Sequence, residues 1–394
     1  MISRSLLLLR RITRQLWFRV ALISLFSLLS LAVAPLLTPI LPQEWADRFG
    51  RDAVLPVLNI LASGMLAVTT FSLNVMVSAY RTASGMATPR VYRLLLEDTV
   101  TQSVLATFTG GFIYSLSAII LFRAQIYPVG AAFIVFVMTV FVVALIVISM
   151  LRWIDHLSDL GSMDHTLRLI ETQTRKSLEA RRDTPNLGGR CRSEDAPEGR
   201  TIPAKASGFV RFVDMMRLQD AAAEAGAEVH LTRLPGEFVL RGRPLAVATG
   251  ADQEFCEQAA ALIDIGDVRS FEQDPSFGLT LLAETAQRAL SPGVNDPGTA
   301  IEVMGRIERL LWETLPEDTD APEEDVQFDR ITLPPVTAEA LLKASFPPIA
   351  RCAQDAPEVM EWMDKGLTAL ADHPNPAMPE AARAMRKALI DTAS

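Results

Sequence analysis

The sequence has few of the residues and motifs that build catalytic or metal sites. Its 394 residues include three cysteines and four histidines, which are scattered along the chain. Cys191, Cys256 and Cys352 have no CxxC spacing, so they indicate neither a disulfide framework nor a thiolate metal site. HExxH, Walker A, GxGxxG and GxSxG motifs are also absent. We therefore expect no enzyme of a familiar kind, and no bound cofactor or metal.

Residues 1–150 contain no lysine, and their charged side chains are eleven arginines and five acidic residues. The remaining residues, 151–394, carry 26 basic and 41 acidic side chains, a net charge of −15. The chain thus joins a basic, apolar part to a strongly acidic one. We expect no nucleic acid among its partners.

Four apolar stretches contain no lysine, aspartate or glutamate. Each is long enough for a transmembrane helix, which needs roughly 20 apolar residues. The stretches are Leu16–Leu41, Val54–Tyr80, Val100–Phe122 and Tyr127–Leu151. We predict a transmembrane domain over residues 1–151, with four spans at about 16–41, 54–80, 100–122 and 127–151 and the lipid bilayer as its partner.

Arginine is distributed unevenly between the two ends of these stretches. Nine arginines lie before or at the start of the first stretch, between the second and third, or after the fourth: Arg4, Arg10, Arg11, Arg14, Arg19, Arg81, Arg90, Arg93 and Arg152. The opposite loops hold Arg48, Arg51 and Arg123. Because cytoplasmic segments near a membrane retain positive charge, this distribution predicts a multi-pass protein with cytoplasmic N- and C-termini.

The polar part of the chain changes pattern several times. We predict a helical extension at 152–182, a linker rich in proline, glycine and charge at 183–203, a small domain at 204–250 and a mainly helical domain at 251–394. Short β-like runs in the small domain resemble a lipoyl-type β-barrel, but its turn lacks the lysine that would carry a cofactor. The expected fold class is therefore membrane all-α followed by a cytoplasmic α+β region with a structural barrel and a helical C-terminal part.

Polar residues form stripes on the second and third apolar stretches. At about 100° per residue, one face of the second stretch carries Asn59, Ser63, Thr70, Asn74, Ser78 and Arg81. The third carries Ser103, Thr107, Gly110, Tyr114 and Ser117. Small and hydroxyl residues favour close packing of membrane helices. An asparagine deep in hydrocarbon instead needs a partner or water, so a hydrated path is the alternative.

Two polar segments outside the stripes are also candidates for function. The arginines between Arg81 and Asp98 either anchor the chain at the inner face, bind lipid phosphates, pair with the acidic domain or gate a pore. Residues 291–297, Ser-Pro-Gly-Val-Asn-Asp-Pro, predict a turn into a helix that Asp296 caps. Such a helix start can bind an anion, although Asp296 opposes that use. The cytoplasmic candidates are Asp274, Ser291, Asn295 and Asp296.

Several segments resemble a bacterial family of predicted membrane proteins catalogued as domain of unknown function 2254. In the first part these segments are Thr70–Leu73, Thr88–Arg90 and Asp98–Gln102. In the second they are Gly208–Val210, Pro235–Val239, Gln273–Gly278 and Ala289–Pro297, so that the similarity spans most of residues 15–315. The resemblance implies an inner-membrane location, four spans and a cytoplasmic C-terminal region. It implies no activity.

Three functional hypotheses follow from these patterns. The first is a homo-oligomeric channel-like or transport protein for ions or small solutes, whose second helices line a conduit. Arg81 at its mouth would favour anions, whereas the acidic domain would attract cations. The second is a membrane-anchored module that binds a ligand or protein. The third is an uncharacterised membrane enzyme, for which Asp274, Asn295 and Asp296 are the first residues to mutate.

Overall fold

The computed structural model describes residues 16–37, 51–96, 98–126, 131–192, 197–316 and 326–391. These residues form two compact units. The helical unit comprises described residues of 16–84 and 92–165, and the mixed unit comprises those of 85–91 and 166–391.

The helical unit is built from five helices. They are α1 (Leu16–Leu37), α2 (Arg51–Met86), α3 (Val91–Leu96), α4 (Thr99–Arg123) and α5 (Ala131–Asp159). Three segments are long and apolar enough to cross a membrane: Val54–Met86, Thr99–Arg123 and Ala131–Leu157. A shorter apolar stretch, Val20–Val33, lies within α1. The structure therefore provides three candidate spans at the positions of the second, third and fourth predicted ones.

Helix α4 is the centre of the helical unit. It packs against α1 and α5, and Gly110 allows α1 to approach closely, since a Cβ atom there would overlap the side chain of Ile23. Each candidate span contains an apolar stretch of 18 residues. The buried share of this stretch is 56% in α4, 28% in α5 and only 17% in α2. Helix α2 is thus the candidate span that its own chain covers least.

The fourth predicted span does not continue as one helix to residue 182. Helix α5 ends at Asp159, and a new helix, α6 (Met163–Asp183), begins after a short turn. Gly161 lies in that turn with φ of +85°, in the left-handed region that favours glycine. This turn separates the last candidate span from the polar helix that follows it.

Eight strands of the mixed unit form two open sheets. They are β1 (Gly189–Cys191), β2 (Arg200–Pro203), β3 (Gly208–Val213), β4 (Glu228–Leu231), β5 (Phe238–Val239), β6 (Pro244–Thr249), β7 (Ile263–Gly266) and β8 (Phe328–Leu333). One sheet has the order β1-β8-β4-β6-β2 and the other β5-β3-β7. In the first sheet β8 is parallel to β1 and β4, and the β4–β6 and β6–β2 pairs are antiparallel.

The predicted barrel over 204–250 was wrong. Strands β3 to β6 do lie in that range, but their neighbours β1, β2, β7 and β8 come from outside it. Instead of a linker, 183–203 contains a 3₁₀-helix (Pro185–Gly188) and strands β1 and β2, apart from 193–196, which lie outside the described residues. Such short strands have little side-chain periodicity of their own, since distant pairing defines them.

Seven further helices complete the mixed unit. They are α7 (Met215–Ala225), α8 (Gln253–Ala261), α9 (Pro275–Ala289), α10 (Pro297–Thr314), α11 (Ala338–Cys352), α12 (Pro357–Leu370) and α13 (Ala377–Arg386). Helices α7 and α8 cover the sheet core, which contains Val213, Leu218 and Val229. Helix α9 packs against α10 and α11, and α12 and α13 complete this helical layer.

Candidate functional site

The polar stripe of α2 is exposed along its whole length. Each of its six members, Asn59, Ser63, Thr70, Asn74, Ser78 and Arg81, is exposed among the described residues. The buried residues of α2 include Val54, Leu58, Met65, Ser72, Met76 and Ala83. At 100° per residue these two sets lie on roughly opposite faces of the helix. The stripe therefore points away from the contacts that α2 makes within its chain.

Some side chains of the stripe donate hydrogen bonds to backbone carbonyls of α2 itself. The Asn59 side-chain amide donates to the carbonyl of Leu55 at 3.0 Å, and the Thr70 hydroxyl donates to the carbonyl of Leu66 at 2.9 Å. The side chains of Asn74 and Ser78 make no hydrogen bond with any residue that the structure describes. In hydrocarbon an amide such as that of Asn74 is costly until it gains a partner or water.

The stripe on α4 has a different environment, because its middle is packed inside the helical unit. Gly110 and Tyr114 are buried, Thr107 and Ser117 are half-buried, and Ser103 is exposed. The hydroxyl of Tyr114 donates to the carbonyl of Val135 at 3.1 Å. It also lies 3.1 Å from the hydroxyl of Thr139, so this stripe serves to join α4 to α5.

The segment from Arg81 to Arg93 contributes to both units. Arg81 and Arg93 are exposed, whereas Arg90 pairs with Glu284 on α9 of the mixed unit. The Thr88 hydroxyl also donates to Glu284, at 2.9 Å. One of the alternatives for these arginines, pairing with the acidic part of the chain, is therefore realised by Arg90.

A half-buried contact between a carboxylate and an imidazole joins the start of α4 to the end of α5, and no pattern in the sequence predicted it. Asp98 caps α4 by accepting from the backbone N–H of Val100 at 3.1 Å, and its Oδ2 lies 2.6 Å from Nε2 of His156. Burial alone would raise the pKa of Asp98, but hydrogen bonds from His156 and Thr101 lower it to about 2. The carboxylate therefore stays charged at neutral pH and fixes the ends of two candidate spans.

Asp274 has a structural position at the start of α9. It accepts from the backbone N–H of Phe277 at 3.1 Å and binds the Arg269 guanidinium through both carboxylate oxygens, at 2.7 and 2.9 Å. Its side chain is almost fully buried beneath Gly236, where a Cβ atom would overlap the carboxylate. Neighbouring Gln273 bonds to both the N–H and the carbonyl of Val213 in β3. These contacts join α9 to the smaller sheet.

The chain matches the family described as "Predicted membrane protein (DUF2254)" over residues 13–369. It belongs to this family. Uncharacterized proteins of Mycobacterium bovis and Mycobacterium tuberculosis are each 27% identical to it over 279 residues, which cover 66% of this chain. These residues cover 53% of each relative, so the chain spans about half the length of the curated relatives it matches. No solved structure matches the chain.

The family match extends beyond the segments that the sequence resemblance used. It continues past residue 315 through β8 and α11 and almost to the end of α12. The matched region thus includes β8. This strand pairs with β1 in the larger sheet, although more than a hundred residues separate the two strands along the chain. Of the helical layer, the match covers α9, α10, α11 and nearly all of α12, whereas α13 lies beyond it.

The remaining candidates of the mixed unit lie on an exposed turn of this DUF2254 protein. Asp296 caps α10 by accepting from the hydroxyl of Thr299 at 2.6 Å and from the Thr299 backbone N–H at 3.0 Å, and these bonds lower the pKa of its carboxyl. Asn295 is exposed with φ of +50°, and its backbone N–H donates to the carbonyl of Ser291 at 2.9 Å. The turn brings these three residues together, whereas Asp274 lies at the opposite end of α9. Their part in any activity stays a prediction.

Proposed function

We propose that this DUF2254 protein is a homo-oligomeric, channel-like protein of the bacterial inner membrane. Several copies place their α2 stripes around a shared axis, where the stripes line a path for ions or small solutes. The supporting observation is the exposure of Asn59, Asn74 and the other stripe residues on the face of α2 opposite its own contacts. A shared hydrated axis would supply the partner that Asn74 lacks in the described chain.

The proposed topology has α1 as a fourth span. In that arrangement both termini lie in the cytoplasm, because nine arginines flank the inner ends of the spans and three flank the outer ends. The mixed unit is then cytoplasmic and acts as an assembly or gating domain. Arg81, at the inner end of the stripe, lies at the mouth of the path and selects among ions by charge.

Substitution of the stripe tests this function. Full-length protein reconstituted into lipid bilayers should conduct ions, and Asn74→Leu should lower the conductance about tenfold, the effect of about 1.4 kcal/mol on a barrier. The reason is that leucine removes a polar group that replaces the hydration of a permeating ion. Single-channel recording and flux from vesicles both measure this change.

A matched pair of serine variants controls for a general effect on membrane insertion. Ser63→Leu changes the stripe, whereas Ser149→Leu changes a half-buried position on α5. Conductance should fall in the first and persist in the second. Bilayers without conductance in any tested salt would contradict the proposal. They would favour the alternative of a membrane-anchored binding module.

A further inference from the structure

A small patch of the mixed unit combines exposed apolar and basic side chains. Phe238 is 54% exposed and Leu240 is 56% exposed. Phe238 belongs to β5, an edge strand of the three-stranded sheet, and its ring packs edge-to-face on Phe209 at 5.2 Å. This contact holds one apolar side chain at the surface in a fixed position.

Two turns beside these residues bring three cations together. The backbone N–H of Arg241 donates to the Ser207 hydroxyl at 2.9 Å, and the N–H of Ala204 donates to the carbonyl of Arg243 at 2.9 Å. These bonds place Lys205, between Ala204 and Ser207, beside the two arginines. Together with the two apolar side chains these cations form the Phe238 patch, which consists of Lys205, Phe238, Leu240, Arg241 and Arg243.

The three cations of the Phe238 patch are exposed and make no ion pair with any residue in the described ranges. The nearby carboxylate of Glu237 pairs instead with Arg233 at 3.4 Å. Residues 151–394 carry a net charge of −15, so three cations close together form a local region of opposite charge. The patch is therefore suited to a negatively charged partner with an apolar layer beneath its charges.

We propose that the Phe238 patch binds the surface of an anionic lipid bilayer. Basic side chains near such a surface are attracted to lipid phosphates, and adjacent aromatic and aliphatic side chains enter the interface. The chain is a membrane protein with three candidate spans, so a bilayer is always within reach of the mixed unit. This favours lipid over an acidic protein segment as the occupant. The proposal does not depend on conduction.

A fluorophore at Leu240 tests the proposal in the full chain. Cys191 and Cys352 are exposed and are replaced by serine, while Cys256 is buried and retained. Leu240→Cys then carries an environment-sensitive label in vesicles of phosphatidylcholine alone, or of equal parts phosphatidylcholine and phosphatidylglycerol. Emission should shift to the blue in the anionic vesicles and return towards the aqueous value at high salt.

Charge reversal and a second labelling position serve as controls. With Arg241→Glu and Arg243→Glu, the bilayer-bound fraction of the label should fall roughly tenfold or more. A label at Val294→Cys, equally exposed in the same unit, should not respond to lipid charge. The same emission in both vesicles, or a shift that survives charge reversal, would overturn the proposal. A blue shift independent of lipid charge would assign the patch to a protein contact instead.

Discussion

Glu171→Ala is expected to destabilise the mixed unit by about 3–5 kcal/mol. Glu171 lies on α6, and its carboxylate contacts Arg306 at 2.9 Å and Arg309 at 2.6 Å on α10. The side chains of Glu171 and Arg306 are each only 11% exposed. Alanine would leave the Arg306 guanidinium buried with less of its compensating charge, and that desolvation cost explains the large effect.

Denaturant unfolding of the full chain in detergent measures this loss. Trp17, Trp45 and Trp153 are replaced by phenylalanine, so that the fluorescence comes from Trp312 and Trp362 in the mixed unit. Glu313→Ala is the matched control, because Glu313 also pairs with an α6 arginine, at 2.7 Å, but is 48% exposed. Its loss should cost less than about 1 kcal/mol. Equal midpoints for the two variants would show that burial of the Glu171 network contributes little.

Gly278→Ala should destabilise the same unit by about 2–3 kcal/mol. Gly278 is buried in α9 against Thr174 of α6, and a Cβ atom at this position would overlap the threonine side chain. Thr174 is itself fully buried and donates to the carbonyl of Ile170 at 2.7 Å, so it has little freedom to move. The two helices must therefore separate or distort to admit one methyl group.

Thr174→Ala should restore part of the stability of Gly278→Ala, because it removes two of the overlapping atoms. Gly305→Ala on α10 is the control for the effect of alanine on a helix. The nearest atom to its new Cβ would be 4.0 Å away, so alanine should stabilise α10 by up to about 1 kcal/mol. The same denaturant unfolding measures Gly278→Ala, its combination with Thr174→Ala, and Gly305→Ala. A loss of stability in Gly305→Ala would argue against the steric explanation.

Local patterns predicted several elements of the fold. The β-like runs of 204–250 correspond to strands β3 to β6, and the predicted turn at 291–297 leads into α10. These elements have clear periodicity and capping residues such as Asp296 and Pro297, which act within a few residues. The candidate spans could be predicted from the sequence for the same reason, because hydropathy is a local property.

Long-range pairing was not predictable from such patterns. Strand β8 lies within 251–394, for which a mainly helical domain was predicted, yet it joins β1 to β4 in the larger sheet. Asp98 and His156 are 58 residues apart in the chain, and no spacing rule connects them. Periodicity identified the α2 stripe, but only the fold shows that the stripe faces away from the buried face of its own helix.

Disulfide cross-linking at Asn74 tests the shared axis most directly. In the full chain with Cys191→Ser and Cys352→Ser, Asn74→Cys should form disulfide-linked dimers on mild oxidation in membranes, since stripes around one axis bring equivalent residues together. Phe141→Cys, a 53% exposed position on α5, is the control and should remain monomeric. An uncrosslinked Asn74→Cys, or dimers formed only by Phe141→Cys, would contradict a shared axis lined by α2.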